Sequence, residues 1–235
     1  MRNLIGYIIK KLKGYDDYSL DDSLRFVDII SILFRNISRV SYYNLILSFR
    51  TKSLKIRFIG KKISLNSSRK IKIGTGCRIG NYVKIDGLSK NGVIIGNASN
   101  IDDYTIIQST SVLNELGEGL VIGNNCGIGS FSFIGCQGGV YIGNDVIIGP
   151  GLKVFTENHN FDDPNVLIRL QGTNRNSIVI EDNVWIGANV TILAGTRIHK
   201  GAVIAAGSIV TKDVQQSALV AGVPAKYIRK IAVNN

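Results

Sequence analysis

A six-residue spacing of isoleucines runs through most of this 235-residue chain. Residues 180–197, IEDNVWIGANVTILAGTR, form three blocks of six, each with isoleucine at position one and a small or branched residue at position five. The spacing matches neither the period of about 3.6 of an α-helix nor that of about 2 of a straight strand. It predicts short strands separated by regular corners, three of which make a triangular coil. The blocks begin at Ile73, Ile79, Ile95, Ile101, Ile122, Ile128, Ile142, Ile148, Ile180, Ile186, Ile192, Ile198 and Ile204.

The residues that follow the isoleucines are suited to the corners. Gly80 with Asn81 and Gly96 with Asn97 are typical of these pairs, and both residue types tolerate positive φ. Positions one and five then point inward. No block buries its apolar side alone, but stacked coils share one continuous core, so the solenoid gains stability by length.

The cysteines fit this core better than a metal site. Cys77 and Cys126 occupy inward position five, and neither they nor Cys136 form a CxxC pair. We therefore predict three buried structural thiols.

The repeat resembles the hexapeptide acyltransferases, and the resemblance covers residues 71–231. It implies an all-β solenoid, a left-handed parallel β-helix; the hand comes from the family, because parallel crossovers in general are right-handed. The alternative is a right-handed β-helix, whose coils are usually longer and less regular. Residues 1–70 are predicted to form a basic helical and strand cap, and a short helix is predicted at the carboxyl-terminal end.

Composition fits a soluble globular protein, with 45% hydrophobic residues and a mean hydropathy of +0.16. The charge is concentrated at the amino-terminal end. Residues 1–70 hold fifteen Lys and Arg against five Asp, a net charge of +10, whereas residues 71–235 carry +1. No apolar run reaches the roughly 18 residues of a membrane span, and no secretory signal is present. A cytoplasmic protein is predicted, with peripheral contact at the inner face of the membrane as an option.

Two elements are predicted within the basic segment. Ser19 and the acidic residues after it indicate the start of a helix from about 20 to 35. Further on, apolar Ile56 and Phe58 alternate with Lys55 and Arg57, which predicts a strand with a basic outer face. This surface would contact anionic lipid headgroups or a polyanionic acceptor, or it would simply cover the end of the solenoid. Nucleic acid is not expected, because no recognised motif accompanies the charge.

Three insertions interrupt the repeat, at about 86–93, 108–121 and 155–178, and we expect them to form loops projecting from corners. The longest contains Asn158-His159-Asn160 and the run IRLQG at 168–172, followed by DNVWIGAN at 182–189. Their order resembles the polysaccharide O-acetyltransferase branch of the family. The resemblance implies that His159 is the general base that removes a proton from the acceptor hydroxyl, a task suited to imidazole at neutral pH.

Other groups of the site follow from the same resemblance. Trp185 is expected to stabilise the oxyanion through its indole N–H, or a nearby backbone N–H would do so, although a packing role for Trp185 is equally open. Orientation of His159 is left open among Glu157, Asp162, Asp163 and a backbone carbonyl. The family's acceptor-binding asparagine is absent, since Gly129 stands at that position.

The carboxyl-terminal segment resembles the CoA-binding end of the family, which implies acetyl-CoA as the acyl donor and a homotrimer. Phosphates and a long pantetheine arm suit a groove lined by backbone groups with cations at one end. Alternatively, Pro224 begins a capping helix whose charges are merely solvated. The residues implied are Ala188 and Ala206 through their backbones, and Thr211, Lys212, Lys226 and Arg229 at the phosphate end.

No metal is expected, because the zinc-binding members of this fold use three histidines and this chain has two. The second, His199, is predicted to be a surface corner residue.

Three functions remain in view. The first is an acetyl-CoA-dependent O-acetyltransferase for a bacterial surface polysaccharide (capsule, exopolysaccharide or O-antigen) or its precursor, with transfer directly to the acceptor. The second is an N-acetyltransferase of an amino-sugar nucleotide, or an acetyltransferase of a small molecule. The third is a non-catalytic β-helix binding module, which would predict loss of His159.

Overall fold

The computed structural model describes residues 56–110 and 112–231, together with Val27, Ile30, Ser31 and Phe34. From residue 58 to residue 221, strands of two to four residues follow one another, and apart from one hairpin each pairs in parallel with the equivalent strand of a neighbouring coil. Three sheets, called A, B and C in the order in which the chain visits them, form the faces of a triangular prism. The predicted solenoid is thus confirmed.

The strands of the three faces have the following bounds. Sheet A contains β1 (Phe58–Ile59), β4 (Arg78–Ile79), β7 (Asn100–Ile101), β10 (Gly127–Ile128), β13 (Ile147–Ile148), β18 (Trp185–Ile186), β21 (Val203–Ile204), β23 (Ala218–Ala221) and β24 (Lys226–Lys230). Sheet B contains β2 (Ser64–Asn66), β5 (Lys84–Asp86), β8 (Ile106–Gln108), β11 (Phe133–Gly135), β14 (Lys153–Phe155), β19 (Thr191–Leu193) and β22 (Ile209–Val210). Sheet C contains β3 (Ile71–Ile73), β6 (Val93–Ile95), β9 (Leu120–Ile122), β12 (Val140–Ile142), β17 (Ile178–Ile180) and β20 (Arg197–Ile198).

Outside the prism lie a hairpin, β15 (Glu157–His159) and β16 (Thr173–Arg175), and two single-turn 3-10 helices, Ser68–Lys70 and Ile168–Leu170.

The isoleucines of the repeat form the core. All thirteen predicted block starts are buried, and the most accessible, Ile148, is only 4% exposed. Position five is equally buried, as at Val146, Val184 and Ala202. Because burial of one large aliphatic side chain contributes about 1.5–3 kcal/mol, this continuous column is the main source of the solenoid's stability.

A ladder of side-chain amides and a carboxylate holds the corner between sheets C and A. In four successive coils the Oδ1 atom of an Asn or Asp accepts a backbone N–H of the coil before it, at 2.7–2.9 Å. These bonds satisfy corner N–H groups that the sheets cannot reach, so the coil spacing is fixed at the corner as well as on the faces. The acceptors are Asn97, Asn124, Asn144 and Asp182.

The solenoid begins before the boundary at residue 71. Strands β1 and β2 pair in parallel with β4 and β5, so they belong to the first coil. The predicted basic outer face is wrong at Arg57, which is 1% exposed and donates from Nε and Nη2 to the Ile73 carbonyl at 3.1 and 2.9 Å. Arg57 occupies inward position five of the six-residue frame, and that frame overrides the two-residue alternation. Burial lowers its pKa.

Most of the amino-terminal predictions lie outside the described residues. Of the helix predicted from about 20 to 35, only Val27, Ile30, Ser31 and Phe34 are described, and all four are α-helical. Lys55 and the remaining basic residues before position 56 are not described. Within the part of the chain that is described, no helix has the length and apolar character needed to cross a membrane.

The predicted carboxyl-terminal helix is wrong. Residues after Pro224, which follows a cis peptide bond, form strand β24 instead, and β24 pairs antiparallel with β23. The pairing satisfies backbone groups along the edge of β23 that a helix would have left open. The turn between the two strands is held by the Ala225 N–H, which donates to the Ile209 carbonyl at 2.8 Å.

The prediction that the cysteines are buried is confirmed, and it has a chemical consequence. Cys77, Cys126 and Cys136 are at most 2% exposed, and burial raises the pKa of Cys136 to about 11. The thiolate is the reactive form, so at pH 8 we expect Ellman's reagent to titrate none of them within minutes. Three thiols should react once guanidinium unfolds the chain. Rapid reaction of the native protein would contradict this packing.

Candidate functional site

All three predicted insertions leave the prism at one corner, between sheets B and C. They connect β5 to β6, β8 to β9 and β14 to β17. Contacts tie each loop to the next: Lys90 pairs with Glu118 at 2.6 Å, and Arg175 pairs with Glu115 at 3.3 Å. The loops therefore form one continuous surface along this corner.

The longest insertion carries His159 on a rigid hairpin. In the register of β15 and β16, Glu157 faces Arg175 and His159 faces Thr173. The Arg175 guanidinium Nε lies 2.5 Å from Glu157 Oε2, and both side chains are largely buried. Glu157 is thus held by arginine and serves to anchor the hairpin. His159 is exposed, and the described residues give its ring no hydrogen-bond partner.

Beyond the hairpin, Gln171 closes the loop. Its Nε2 donates to the carbonyls of Asp163 at 2.8 Å and Val166 at 2.7 Å, and its Oε1 accepts the Asp163 N–H at 3.2 Å. The Asp163 carboxylate accepts the Asn165 N–H, so it stabilises the turn. This closed loop presents apolar side chains to solvent: Phe161 is 68% exposed, Leu167 64%, Ile168 56% and Leu170 66%.

The corner between sheets A and B contains the predicted CoA-binding backbone. In the amino-terminal coils, called upper here, Asn81 Oδ1 accepts the Lys61 N–H at 2.9 Å and Asp103 Oδ1 accepts the Asn81 N–H at 2.7 Å. This ladder stops at Asp103. In the carboxyl-terminal coils, called lower here, Ala188 and Ala206 stand at the position of Asn81 and Asp103, and no described residue accepts their N–H groups.

Small residues occupy this part of the corner, and we call the strip that they form the groove. Gly151, Ala188, Ala206 and Gly207 line it, and a Cβ atom added at Gly207 would meet nothing within 4 Å. Trp185 flanks the groove on sheet A and is 55% exposed. Its backbone N–H donates to the Ala202 carbonyl at 3.0 Å, so the donors left for a ligand among the described groove residues include its indole N–H and the N–H groups of Ala188 and Ala206.

The predicted phosphate-end residues are divided between two corners. Residues 222–225 turn at the foot of the groove, where the Gly222 N–H donates to Ser208 Oγ at 3.2 Å, and Lys226 follows directly. Thr211 and Lys212 come directly after β22, at the corner between sheets B and C. Arg229 is exposed on β24. One chain thus brings together Ala188, Ala206 and Lys226.

One chain does not bring His159 and Trp185 together. His159 projects from the corner between sheets B and C, and in a triangular cross-section that corner lies opposite sheet A, which carries Trp185. The groove is separated from the hairpin by the full width of sheet B.

His199 lies at the corner between sheets C and A. Its Nδ1 is 3.1 Å from Glu181 Oε1, and Glu181 also accepts the Lys200 N–H and an Arg197 guanidinium N–H, each at 3.0 Å. The Lys200 N–H is the main cause of a lowered pKa of Glu181, and Arg197 adds to it. Across residues 56–110 and 112–231, no three His, Cys, Asp or Glu side chains gather as metal ligands.

A column of aromatic rings on the A–B corner was missed from the sequence. Tyr82, Tyr104 and Phe131 stack with ring centroids 4.9 and 5.0 Å apart and interplanar angles of 4° and 1°. They occupy position four of the blocks that begin at Ile79, Ile101 and Ile128. Aromatic residues recurring at one position of the frame were therefore the signal that could have found them.

Comparison with known families supports the repeat assignment. A family described as bacterial transferase hexapeptide (six repeats) matches residues 177–212, and one described as hexapeptide repeat of succinyl-transferase matches residues 119–155.

Curated relatives are similar over part of the chain. Galactoside O-acetyltransferase of Lactococcus lactis is 41% identical over 93 residues, 39% of this chain and 44% of that protein. The putative lipopolysaccharide biosynthesis O-acetyl transferase WbbJ of Escherichia coli is 33% identical over 128 residues, 50% of this chain and 64% of WbbJ. The chain thus spans less than two thirds of either relative.

A solved structure supports the fold at low sequence identity. A variant of AntD, an N-acyltransferase from Bacillus cereus, in complex with dTDP-4-amino-4,6-dideoxyglucose and coenzyme A, superposes with a TM-score of 0.54. It is 20% identical, and the match covers 82% of this chain and 90% of AntD. Residues 119–155 and 177–212 thus match hexapeptide-repeat models of transferases, in agreement with the repeat and the prism, and the solved structure shares the fold.

Proposed function

We propose that this protein is an acetyl-CoA-dependent O-acetyltransferase that acetylates a hydroxyl of a bacterial surface polysaccharide (capsule, exopolysaccharide or O-antigen) or its precursor. The observation that carries the proposal is the groove on the A–B corner, where the side-chain ladder stops and the N–H groups of Ala188 and Ala206 lack acceptors among the described residues. Similarity to galactoside O-acetyltransferase and to WbbJ favours a sugar hydroxyl as acceptor.

The groove suits the pantetheine arm of CoA. That arm is thin and carries amide carbonyls, which the N–H groups of Ala188 and Ala206 can bind. Gly207 leaves room for the arm to pass. Lys226 stands at the foot of the groove, where its ammonium group would meet the phosphates.

In the reaction, His159 acts as general base. Its imidazole takes the proton of the acceptor hydroxyl while the oxygen attacks the thioester carbonyl of acetyl-CoA. The indole N–H of Trp185 or the N–H of Ala188 donates to the resulting oxyanion. Collapse of the tetrahedral intermediate forms the ester and expels the CoA thiolate, which recovers the proton from the His159 imidazolium. No acyl-enzyme intermediate is needed.

The site is completed by a second copy of the chain, in a homotrimer. His159 and Trp185 lie on opposite sides of one solenoid, so the His159 hairpin of one protomer reaches the groove of the next. The exposed apolar residues of the loop, such as Phe161 and Leu167, supply contact area for this interface. A head-to-tail contact of this kind closes into a ring when the rotation is three-fold. Thr211 and Lys212 lie on the same corner as the His159 hairpin, so they would reach the phosphates from the neighbouring protomer. Arg229 would complete this end of the groove.

The acceptor is carbohydrate, and the basic amino-terminal segment favours an anionic acceptor or an acceptor attached to an anionic membrane. Lys61 and Lys62 lie between β1 and β2 of the first coil and are exposed. For either acceptor we place the reaction on the cytoplasmic side, because acetyl-CoA is available there.

A second candidate is N-acetylation of an amino-sugar nucleotide. It is favoured by the likeness to AntD, an N-acyltransferase bound to an amino-sugar nucleotide. The same groove and base would serve, because an ammonium acceptor must also lose a proton before it attacks.

The test is transfer from radiolabelled acetyl-CoA to a panel of acidic and neutral polysaccharides, lipid-linked oligosaccharides, amino-sugar nucleotides and small amines. We expect label in a glycan and its release by mild base, as for an ester. Base-stable label on an amine would favour the second candidate instead. Binding of CoA without transfer to any member of the panel would count against the proposal.

A further inference from the structure

The aromatic column on the A–B corner ends at Phe131, one coil above the groove. We propose that a pyranose ring of the acceptor stacks on the free face of Phe131, at the level of Gly151, and so continues the column. The inference rests on the proposed function and adds to it the element that holds the acceptor.

Backbone bonds show that Gly151 is the next step of the column. The N–H of Tyr104 donates to the Asn81 carbonyl, that of Phe131 to the Asp103 carbonyl, and that of Gly151 to the Ser130 carbonyl, at 2.8–3.0 Å. All three donors have positive φ, which is 61° at Tyr104, 59° at Phe131 and 76° at Gly151. Strands in a sheet are about 4.8 Å apart, close to the ring spacing in the column. A ring placed at Gly151 would therefore lie at stacking distance from Phe131.

The slot at Gly151 has one apolar side and one polar side. Tyr104 covers one face of Phe131, whose ring is nevertheless 67% exposed, and Gly151 has no side chain to cover the other. From the coil below, Asn189 Oδ1 lies 2.3 Å from where a Cβ of residue 151 would stand. No hydrogen-bond partner for the Asn189 amide is recorded in the described part of the chain.

This combination fits a sugar better than a flat aromatic ligand. A pyranose presents axial C–H groups on one face, which pack on an aromatic ring, and hydroxyl groups around its rim. Stacked on Phe131, it would turn its rim hydroxyls toward the Asn189 amide, which both donates and accepts hydrogen bonds. The Asn189 amide already fills the inner end of the slot, where a side chain at residue 151 would clash with it, so the sugar would lie outside this amide.

The slot also lies at the reacting end of the groove. Gly151 and Ala188 occupy consecutive coils of the same corner, and the Asn189 N–H donates to the Pro150 carbonyl at 2.8 Å. Trp185, the proposed oxyanion donor, is on the adjoining sheet. A hydroxyl of a ring held at Gly151 would therefore stand next to a thioester placed above Ala188.

The test compares Phe131→Ala with Phe131→Tyr and with Tyr141→Ala. Tyr141 is a matched control, because it is an exposed aromatic residue on sheet C, 43% accessible and away from the column. We expect Phe131→Ala to raise the acceptor KM about tenfold, since a lost stacking contact of this size corresponds to that factor. The KM for acetyl-CoA should stay unchanged, and Phe131→Tyr and Tyr141→Ala should behave like the wild type.

A binding measurement keeps the inference separate from the proposed activity. Saturation-transfer NMR with the methyl β-glycosides of glucose, galactose and N-acetylglucosamine should label the ring-face protons in the wild type and not in Phe131→Ala. If the wild type transfers saturation to none of these glycosides, the slot is not a sugar site. The same holds if Phe131→Ala leaves both the saturation-transfer signal and the acceptor KM unchanged. Failure of the wild type to acetylate any glycan would instead overturn the proposed function.

Discussion

Replacing His159 with alanine is expected to lower the turnover number about 10³-fold, while the Kd for CoA stays within a factor of two or so of the wild type. The imidazole is exposed on an anchored hairpin and has no structural partner among the described residues, so its loss removes a proton acceptor without disturbing the fold. Steady-state rates with the best acceptor, together with CoA binding by calorimetry, measure the two effects separately.

His199→Ala is the matched control, because His199 pairs with Glu181 on the far corner and should leave turnover intact. Near-normal turnover of His159→Ala would remove His159 from the mechanism. The proposed homotrimer can be tested with the same protein: mixing His159→Ala with a groove-filling Ala188→Trp variant, followed by dissociation and reassembly, should restore part of the activity. No recovery in verified mixed trimers would mean that each site is built from one chain.

The second large effect is on stability, at Gly123 on the corner between sheets C and A. A Cβ atom there would lie 2.4 Å from the Gly143 carbonyl oxygen and 2.6 Å from its carbon, and both are backbone atoms held by the ladder. Overpacking against atoms that cannot move costs about 3 kcal/mol. For a chain of this length that corresponds to a fall in Tm of about 6–12 °C, measured by circular dichroism.

The control, Gly127→Ala, lies four residues away in β10, where an added Cβ meets nothing within 4 Å. It should leave Tm unchanged or raise it slightly, because alanine loses less backbone entropy on folding than glycine. Equal Tm values for the two variants would show that the coils can separate at the corner, contrary to the ladder described above.

Much of the fold could be predicted because the repeat encodes it directly. Position one of each block must be apolar in every coil, and residues such as Ile101, Ile186 and Ile204 are fully buried as predicted. The insertions were also visible as breaks in the period. Their common corner was not predicted, although each follows the second strand of its coil.

The errors lie beside the first and the last strands of the described solenoid. The local alternation around Arg57 suggested an outward side chain, but the stacking of the first coil on β4 sets the direction. After Pro224, a helix and a strand were both compatible with the local sequence. The open edge of β23 decides between them, and that edge is a property of the whole solenoid.

The candidate site was only partly accessible from sequence. Motif order pointed to His159 and Trp185, but their placement on opposite sides of one solenoid depends on which face each strand joins. The aromatic column similarly needs the coil register, since Tyr104 and Phe131 are 27 residues apart and yet stacked. Linear spacing varies with the insertions, whereas the position within the six-residue frame does not.

Strand β24 has a consequence for how copies of this protein can assemble. A solenoid that ended in parallel edges would offer its last coil as a template for the first coil of another copy, and filaments would follow. β24 instead runs antiparallel and presents Lys226, Arg229 and Lys230 to solvent. Lysine-rich edges discourage further strand pairing, so β24 protects this edge of sheet A from pairing with a strand of another copy.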